Sequence, residues 1–133
     1  MRPIIVFAIE GALGSSLALP LEMLHAAIQH RRSRERRFQP PLIQVVGARR
    51  GSLSMSGSLR LLPDTLASRV EEAELAIIPS LWRTPALTVS RHTPVTDCIN
   101  RLAASGAWIC AVGTGSYFPA AAGLLDGRPA TTH

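Results

Sequence analysis

The sequence contains no lysine, two cysteines, one tyrosine and no long apolar run. A bilayer-spanning helix needs ~18 or more consecutive apolar residues, and every apolar stretch here meets a charge or a turn former sooner. The first run, Ile4-Ile5-Val6-Phe7-Ala8-Ile9, is too short for the core of a signal peptide, and no cleavage-site pattern follows it. Cys98 and Cys110 are too few for a disulfide framework or a metal site. They fit a reduced, cytoplasmic protein in which both thiols are buried packing groups. His25, His30 and His92 have no metal-ligand spacing to a cysteine or carboxylate and read as surface or core histidines. Glu71, Glu72 and Glu74 form no pairing suited to acid–base chemistry and read as a solvated helix end. No metal, no cofactor and no membrane contact are expected. The chain has no internal repeat and no low-complexity tract.

What is present suits one domain. There are 133 residues, 47% of them hydrophobic, with a mean hydropathy of +0.20. That is ample for a packed core and excludes general disorder. The net charge is +5, and all fourteen basic residues are arginine, a bias of the kind a GC-rich genome produces. Five of them lie in Arg31-Arg32-Ser33-Arg34-Glu35-Arg36-Arg37, which with Glu35 carries a net +4 and leaves +1 for the rest. The basicity is therefore local. The run reads as a solvated helix end whose charge complements the helix dipole; contact with DNA phosphates or an acidic partner is the alternative. No interleaved aromatics suggest stacking on single strands.

Strands and helices alternate along the chain. The run Ile4 to Ile9 reads as a strand buried on both faces. A helix follows, capped by Ser15 or Ser16 and ending near His30, with Pro20 in its first turns and Leu17, Leu21, Leu24 and Ile28 as its apolar stripe. Leu42 to Val46 is a second strand. Gly47 to Gly57 reads as a loop or hairpin, Ser58 to Leu62 as a short edge strand, and Thr65 to Val70 as a short helix. Leu75 to Ile78 is a strand stopped by Pro79, and a loop holds Trp82 and Pro85. A helix spans Pro94 to Ala104 and stops at Ser105-Gly106. Ala107 to Val112 is a strand that turns at Gly113-Thr114-Gly115 into a helix, Ser116 to Ala122. An Asp-Gly turn and the opening of one more strand end the chain. This order implies an α/β domain with a mostly parallel sheet.

The strand–turn–helix at Gly113 has the layout of a nucleophile elbow, whose tip residue is strained and exposed above the sheet. Hydrolases place Ser or Cys there. Gly113 has no side chain to attack with, and it relieves the strain that a nucleophile would impose.

The stretch Gly106-Ala107-Trp108-Ile109-Cys110-Ala111-Val112-Gly113-Thr114-Gly115-Ser116-Tyr117-Phe118 resembles the elbow segment of the ThiJ/PfpI superfamily, which has a class I glutamine amidotransferase-like fold. Ala121-Ala122-Gly123-Leu124-Leu125-Asp126-Gly127-Arg128-Pro129-Ala130-Thr131-Thr132-His133 resembles the form found in N-terminal domains of AraC-type transcriptional regulators. Pro20-Leu21-Glu22-Met23 and Ser56 to Asp64 are similar to further segments of that group. The resemblance implies a flavodoxin-like three-layer sandwich, truncated at the C-terminus, with residues 1–133 as a sensor domain and a helix-turn-helix domain downstream.

The departures from the family pattern bear on function. The position of the family's catalytic Cys is Gly113. The acidic residue that faces it in the enzymatic branches falls at Ser16. The Gly-rich turn whose amides help stabilise an oxyanion reads Pro79-Ser80-Leu81-Trp82. The bordering histidine is kept as His133. The thiolate activities of the superfamily are therefore not implied. The resemblance implies instead a non-catalytic, effector-sensing and dimerising domain of a cytoplasmic regulator. A small, amino-acid-related effector would bind near Ser16, Ser80, Leu81, Trp82, Gly113, Thr114 and His133. Trp82 reads as an aromatic platform on the rim or as core filling. The parent protein would be a homodimer that touches DNA through the absent domain. The rival reading is a divergent hydrolase or hydratase using Thr114, Ser116 or Cys110.

Overall fold

The computed structural model describes residues 1–132. Strand β1 (Ile4–Ala8) occupies the middle of a five-stranded sheet. Its apolar run is buried because helices cover both faces. β2 (Ile43–Gly47) pairs with it in parallel on one side and β6 (Leu75–Ile78) on the other. β5 (Thr65–Leu66) extends the sheet beyond β2, and β7 (Trp108–Ala111) extends it beyond β6. The order β5-β2-β1-β6-β7 is parallel throughout and reverses direction at β1. The short strands β3 (Leu53–Ser54) and β4 (Arg60–Leu61) form a separate antiparallel hairpin.

The two sheet faces pack against different helices. On one face, α1 (Gly14–Arg34) and the hairpin enclose Val6, Ala8, Leu17, Leu53, Met55 and Ile77. On the other, α2 (Pro85–Ser90), α3 (Thr93–Ala104) and α4 (Tyr117–Ala121) contribute Val89, Val95, Cys98, Ile99, Leu102 and Phe118 to a larger core with Ile5, Phe7 and Ile78. The result is the expected three-layer α/β sandwich. Each large side chain sealed there contributes about 1.5–3 kcal/mol relative to exposure.

Several local expectations are corrected. α1 begins at Gly14 with Leu13 at the cap position, and no side chain caps it. Ser16 does not cap because its hydroxyl is used inside the fold. α1 also runs a turn past His30, and Pro20 lies at its seventh residue, in the second turn. The helix expected over 65–70 is instead β5 followed by a single 3-10 turn, Ala67–Arg69. Two groups impose this. The Asp64 carboxylate accepts from Val45 N–H at 2.8 Å, drawing the segment against β2. The Arg101 guanidinium on α3 donates to the carbonyls of Ala67 and Val70 at 2.7 and 3.2 Å. Both tertiary contacts override a weak local propensity. The glutamates that follow lie outside any helix, and Glu72 meets Arg2 at 3.5 Å. The loop expected around Pro85 contains α2, with the proline in its first turn where a missing donor costs least.

Cys110 is a further correction. It is exposed, whereas Cys98 is buried as expected. Cys110 sits on edge strand β7 opposite Ile77, on the sheet face covered by α1 and the hairpin, and it is exposed there. The strand expected to open after the Asp-Gly turn is not formed within the described residues, which continue to Thr132 without regular structure.

Candidate functional site

The site is built where the carboxyl ends of β1, β6 and β7 meet, the usual place for chemistry on a parallel sheet. The loops after β1 and β6 are stitched together there. Ala12 and Leu81 form an isolated antiparallel bridge, Leu13 N–H donates to the Ser80 carbonyl at 2.8 Å, and Trp82 N–H donates to the Gly11 carbonyl at 3.3 Å. The elbow after β7 then folds against them. Gly113 has φ +50°, in the left-handed region that glycine occupies without strain. Gly115 passes so close to β6 that an added Cβ would lie 2.5 Å from the Pro79 carbonyl oxygen.

Three hydroxyls tie this corner together. Ser16 Oγ, on α1, donates to the Leu13 carbonyl at 2.6 Å and accepts from Ser80 N–H at 2.9 Å. Thr114 Oγ1 donates to the Leu81 carbonyl at 2.8 Å and accepts from Leu81 N–H at 2.9 Å. Ser80 Oγ lies 3.0 Å from Thr114 Oγ1. The one hydroxyl proton of Thr114 is already committed to a carbonyl, so Ser80 is the donor in that contact. Ser80 is thereby left with its oxygen lone pairs free to accept.

The structure thus brings Ser16, Ser80, Leu81, Gly113 and Thr114 into one cluster. Leu81 takes part through its backbone, since its side chain is 4% exposed and belongs to the core. Trp82 is 56% exposed, with the Arg83 guanidinium 5.9 Å from its ring centre, so it is not core filling. His133 lies outside the described residues. Its neighbour Thr132 reaches the elbow and donates to the Gly113 carbonyl at 3.2 Å. A cavity of about 250 Å³ adjoins the elbow, lined by Ser116, Tyr117, Ala120, Leu125, Ala130, Thr131 and Thr132. Tyr117, Thr131 and Thr132 were not singled out as site residues from the sequence. The tail's return to the elbow was implied only by the resemblance, through His133.

Two backbone donors of the loop after β6 are already occupied. An oxyanion site needs backbone donors aimed at a developing charge. Here Ser80 N–H is taken by Ser16 and Leu81 N–H by Thr114. Cys98, the buried thiol, lies on α3. Burial pushes its pKa up to about 11, against a smaller lowering by Arg101, so it is not a nucleophile near neutral pH. Among the described residues, no three His, Cys, Asp or Glu side chains gather as a metal site, and no helix is long and apolar enough to cross a membrane.

The structural neighbours that share this fold are proteins of the ThiJ/PfpI and DJ-1 superfamily. They include transcriptional regulators. A candidate transcriptional regulator from Vibrio parahaemolyticus superposes with a TM-score of 0.84 at 26% identity, over 99% of this chain and 66% of its own. An AraC family transcriptional regulator from Pseudomonas putida gives 0.71 at 21% identity, over 100% of this chain and 67% of its own. A ThiJ/PfpI family protein from Pseudomonas syringae gives 0.74 at 16% identity, over 95% and 48%. The chain therefore spans about two thirds or less of these neighbours. Neither the protein-family models nor the curated proteins searched give a match.

Proposed function

We propose that this chain is the effector-sensing, non-catalytic domain of an AraC-type transcriptional regulator. The observation that carries the reading is the elbow. Its tip is Gly113, and the Ser80 and Leu81 amides of the facing loop are bonded to the hydroxyls of Ser16 and Thr114. Neighbours that are transcriptional regulators support it.

In this reading the effector is small and amino-acid-related. The chemistry of the cluster suits it: Ser80 Oγ offers only lone pairs, so it takes an N–H donor. Ser16, Leu81, Trp82, Gly113, Thr114 and His133 complete the binding residues. An effector that draws Ser80 away from Thr114 loosens the elbow from the β6 loop and so favours one of two arrangements. A cytoplasmic homodimer then carries that bias to helix-turn-helix domains outside these 133 residues, where DNA is bound. A thermal-shift screen of amino acids and related amines tests the sensing step. A compound that raises Tm in the parent chain and not in Ser80→Ala supports it. A screen without any stabiliser removes the claim.

The exposure of Cys110 favours a second reading, a divergent hydrolase or hydratase that uses this thiol. Alkylation kinetics separate the two. A rate well above that of a free cysteine would require an activated thiolate and would sustain the enzyme reading.

A further inference from the structure

A second cleft opens on the other side of β1, away from the elbow. It holds about 280 Å³ and is lined by Ala8, Glu10, Ala48, Arg49, Leu53, Arg91, His92 and Pro94. Three separate segments supply its charges: the loop after β1, the loop after β2, and the junction of α2 with α3. Arg49 is locked in place, its guanidinium donating to Glu10 Oε2 at 3.1 Å and to the carbonyls of Arg50 and Ser52 at 3.0 and 3.2 Å. The same Glu10 oxygen accepts from Ser54 N–H at 3.0 Å. Glu10 thus neutralises Arg49. Arg91 has no ion pair among the described residues. His92 holds its Nδ1 at 2.6 Å from the Thr88 carbonyl, which can only accept, so Nδ1 carries the proton and Nε2 is left without a protein partner among the described residues. The cleft therefore has one uncompensated guanidinium above a floor of Ala8, Ala48, Leu53 and Pro94, with the accepting His92 Nε2 to one side.

We propose that this cleft binds a small oxyanion-bearing molecule, a carboxylate with a short aliphatic body. Arg91 takes the carboxylate, since a guanidinium matches its two oxygens. The apolar floor takes the aliphatic body. The volume lies just below that of drug-sized ligand pockets, which run roughly 300–1,000 Å³, and suits a smaller molecule. A phosphate ester shares the oxyanion chemistry. The site is separate from the elbow and does not rest on the regulator reading.

The test is calorimetric titration of the 133-residue chain with sodium butyrate, sodium phosphate and sodium chloride at matched ionic strength. Butyrate is expected to bind saturably and chloride not to bind. Arg91→Gln weakens butyrate about tenfold, the scale of one charge-assisted hydrogen bond. Arg36→Gln removes the same net charge at an exposed site on the far side of the fold and leaves the affinity unchanged. Glu10→Gln, whose amide oxygen still accepts from Arg49 and Ser54, tightens binding because a repelling charge is gone. Phosphate binding more tightly than butyrate, with the same response to Arg91→Gln, supports the oxyanion cleft and assigns it to phosphate esters. Equal losses in Arg91→Gln and Arg36→Gln, or a response to chloride equal to that of butyrate, overturn the proposal.

Discussion

Thr114 holds the elbow through one hydroxyl that serves three partners: the Leu81 amide, the Leu81 carbonyl and Ser80 Oγ. Thr114→Val keeps the shape and removes all three. The partly buried Leu81 amide then has no acceptor, at a cost of about 1–3 kcal/mol. Urea denaturation should read that loss, while Thr132→Val, which removes only an exposed bond to Gly113, should shift stability far less. Gly115→Ala is expected to be worse than either, because its Cβ meets the Pro79 carbonyl carbon and oxygen, backbone atoms that cannot swing aside. Cys98 adds a pH dependence. Its thiol is held neutral by burial up to about pH 11, whereas the unfolded thiol ionises from its ordinary value of 9.0. The pKa is raised on folding and the neutral form is the protonated one. The Cys98 contribution is therefore constant below pH 9 and is lost between pH 9 and 11, on the order of 3 kcal/mol at most. Cys98→Val should abolish that alkaline loss, and a stability curve that falls identically in the variant would assign it to other groups.

The elements differ in how much of them the sequence reveals. β1, β2, β6 and β7 were legible because each is a short unbroken apolar run closed by a turn former, and a buried parallel strand has no other way to read. The elbow was legible from Gly113-Thr114-Gly115, and the cluster of Ser16, Ser80 and Thr114 from the resemblance that aligned them. β5 was not. Two residues have no period, and what makes Thr65–Leu66 a strand is Asp64 bonding β2 nineteen residues away. The exposure of Cys110 was equally hidden, because an edge strand and a central strand share one pattern until their neighbours are known. α1 shows the same limit. Its stripe of Leu17, Leu21, Leu24 and Ile28 is real, yet of its large apolar side chains only Leu17 is fully buried. Leu17→Ala should therefore cost about 2–5 kcal/mol, and Leu21→Ala distinctly less. Equal losses in chemical denaturation would mean that α1 is covered more evenly than this packing indicates.

At the scale of the whole molecule, the coverage of the sheet is lopsided. Three helices seal one face, but α1 and a small hairpin serve the other. The uncovered part lies at β7, where Trp108 is 75% exposed and Cys110 is open beside it. Within these 133 residues β7 is also the last strand of the sheet, so one side of its backbone has no strand partner. Natural edges are guarded by charge, proline or a bulge, and Trp-Ile-Cys-Ala carries none of these. The chain's excess charge does not protect it either. Nearly all of that charge sits in residues 31–37, at the far end of α1. Association through β7 is thus opposed by little repulsion and favoured by a large apolar surface, which makes it insensitive to salt. Sedimentation velocity over a concentration series should show self-association of the parent chain. Trp108→Lys should suppress it by placing a charge on the edge, whereas neutralising Arg34, Arg36 and Arg37 should leave it in place. If the arginine variant dissociates and Trp108→Lys does not, the contact lies at the end of α1 and the open edge of β7 is not what draws two copies together.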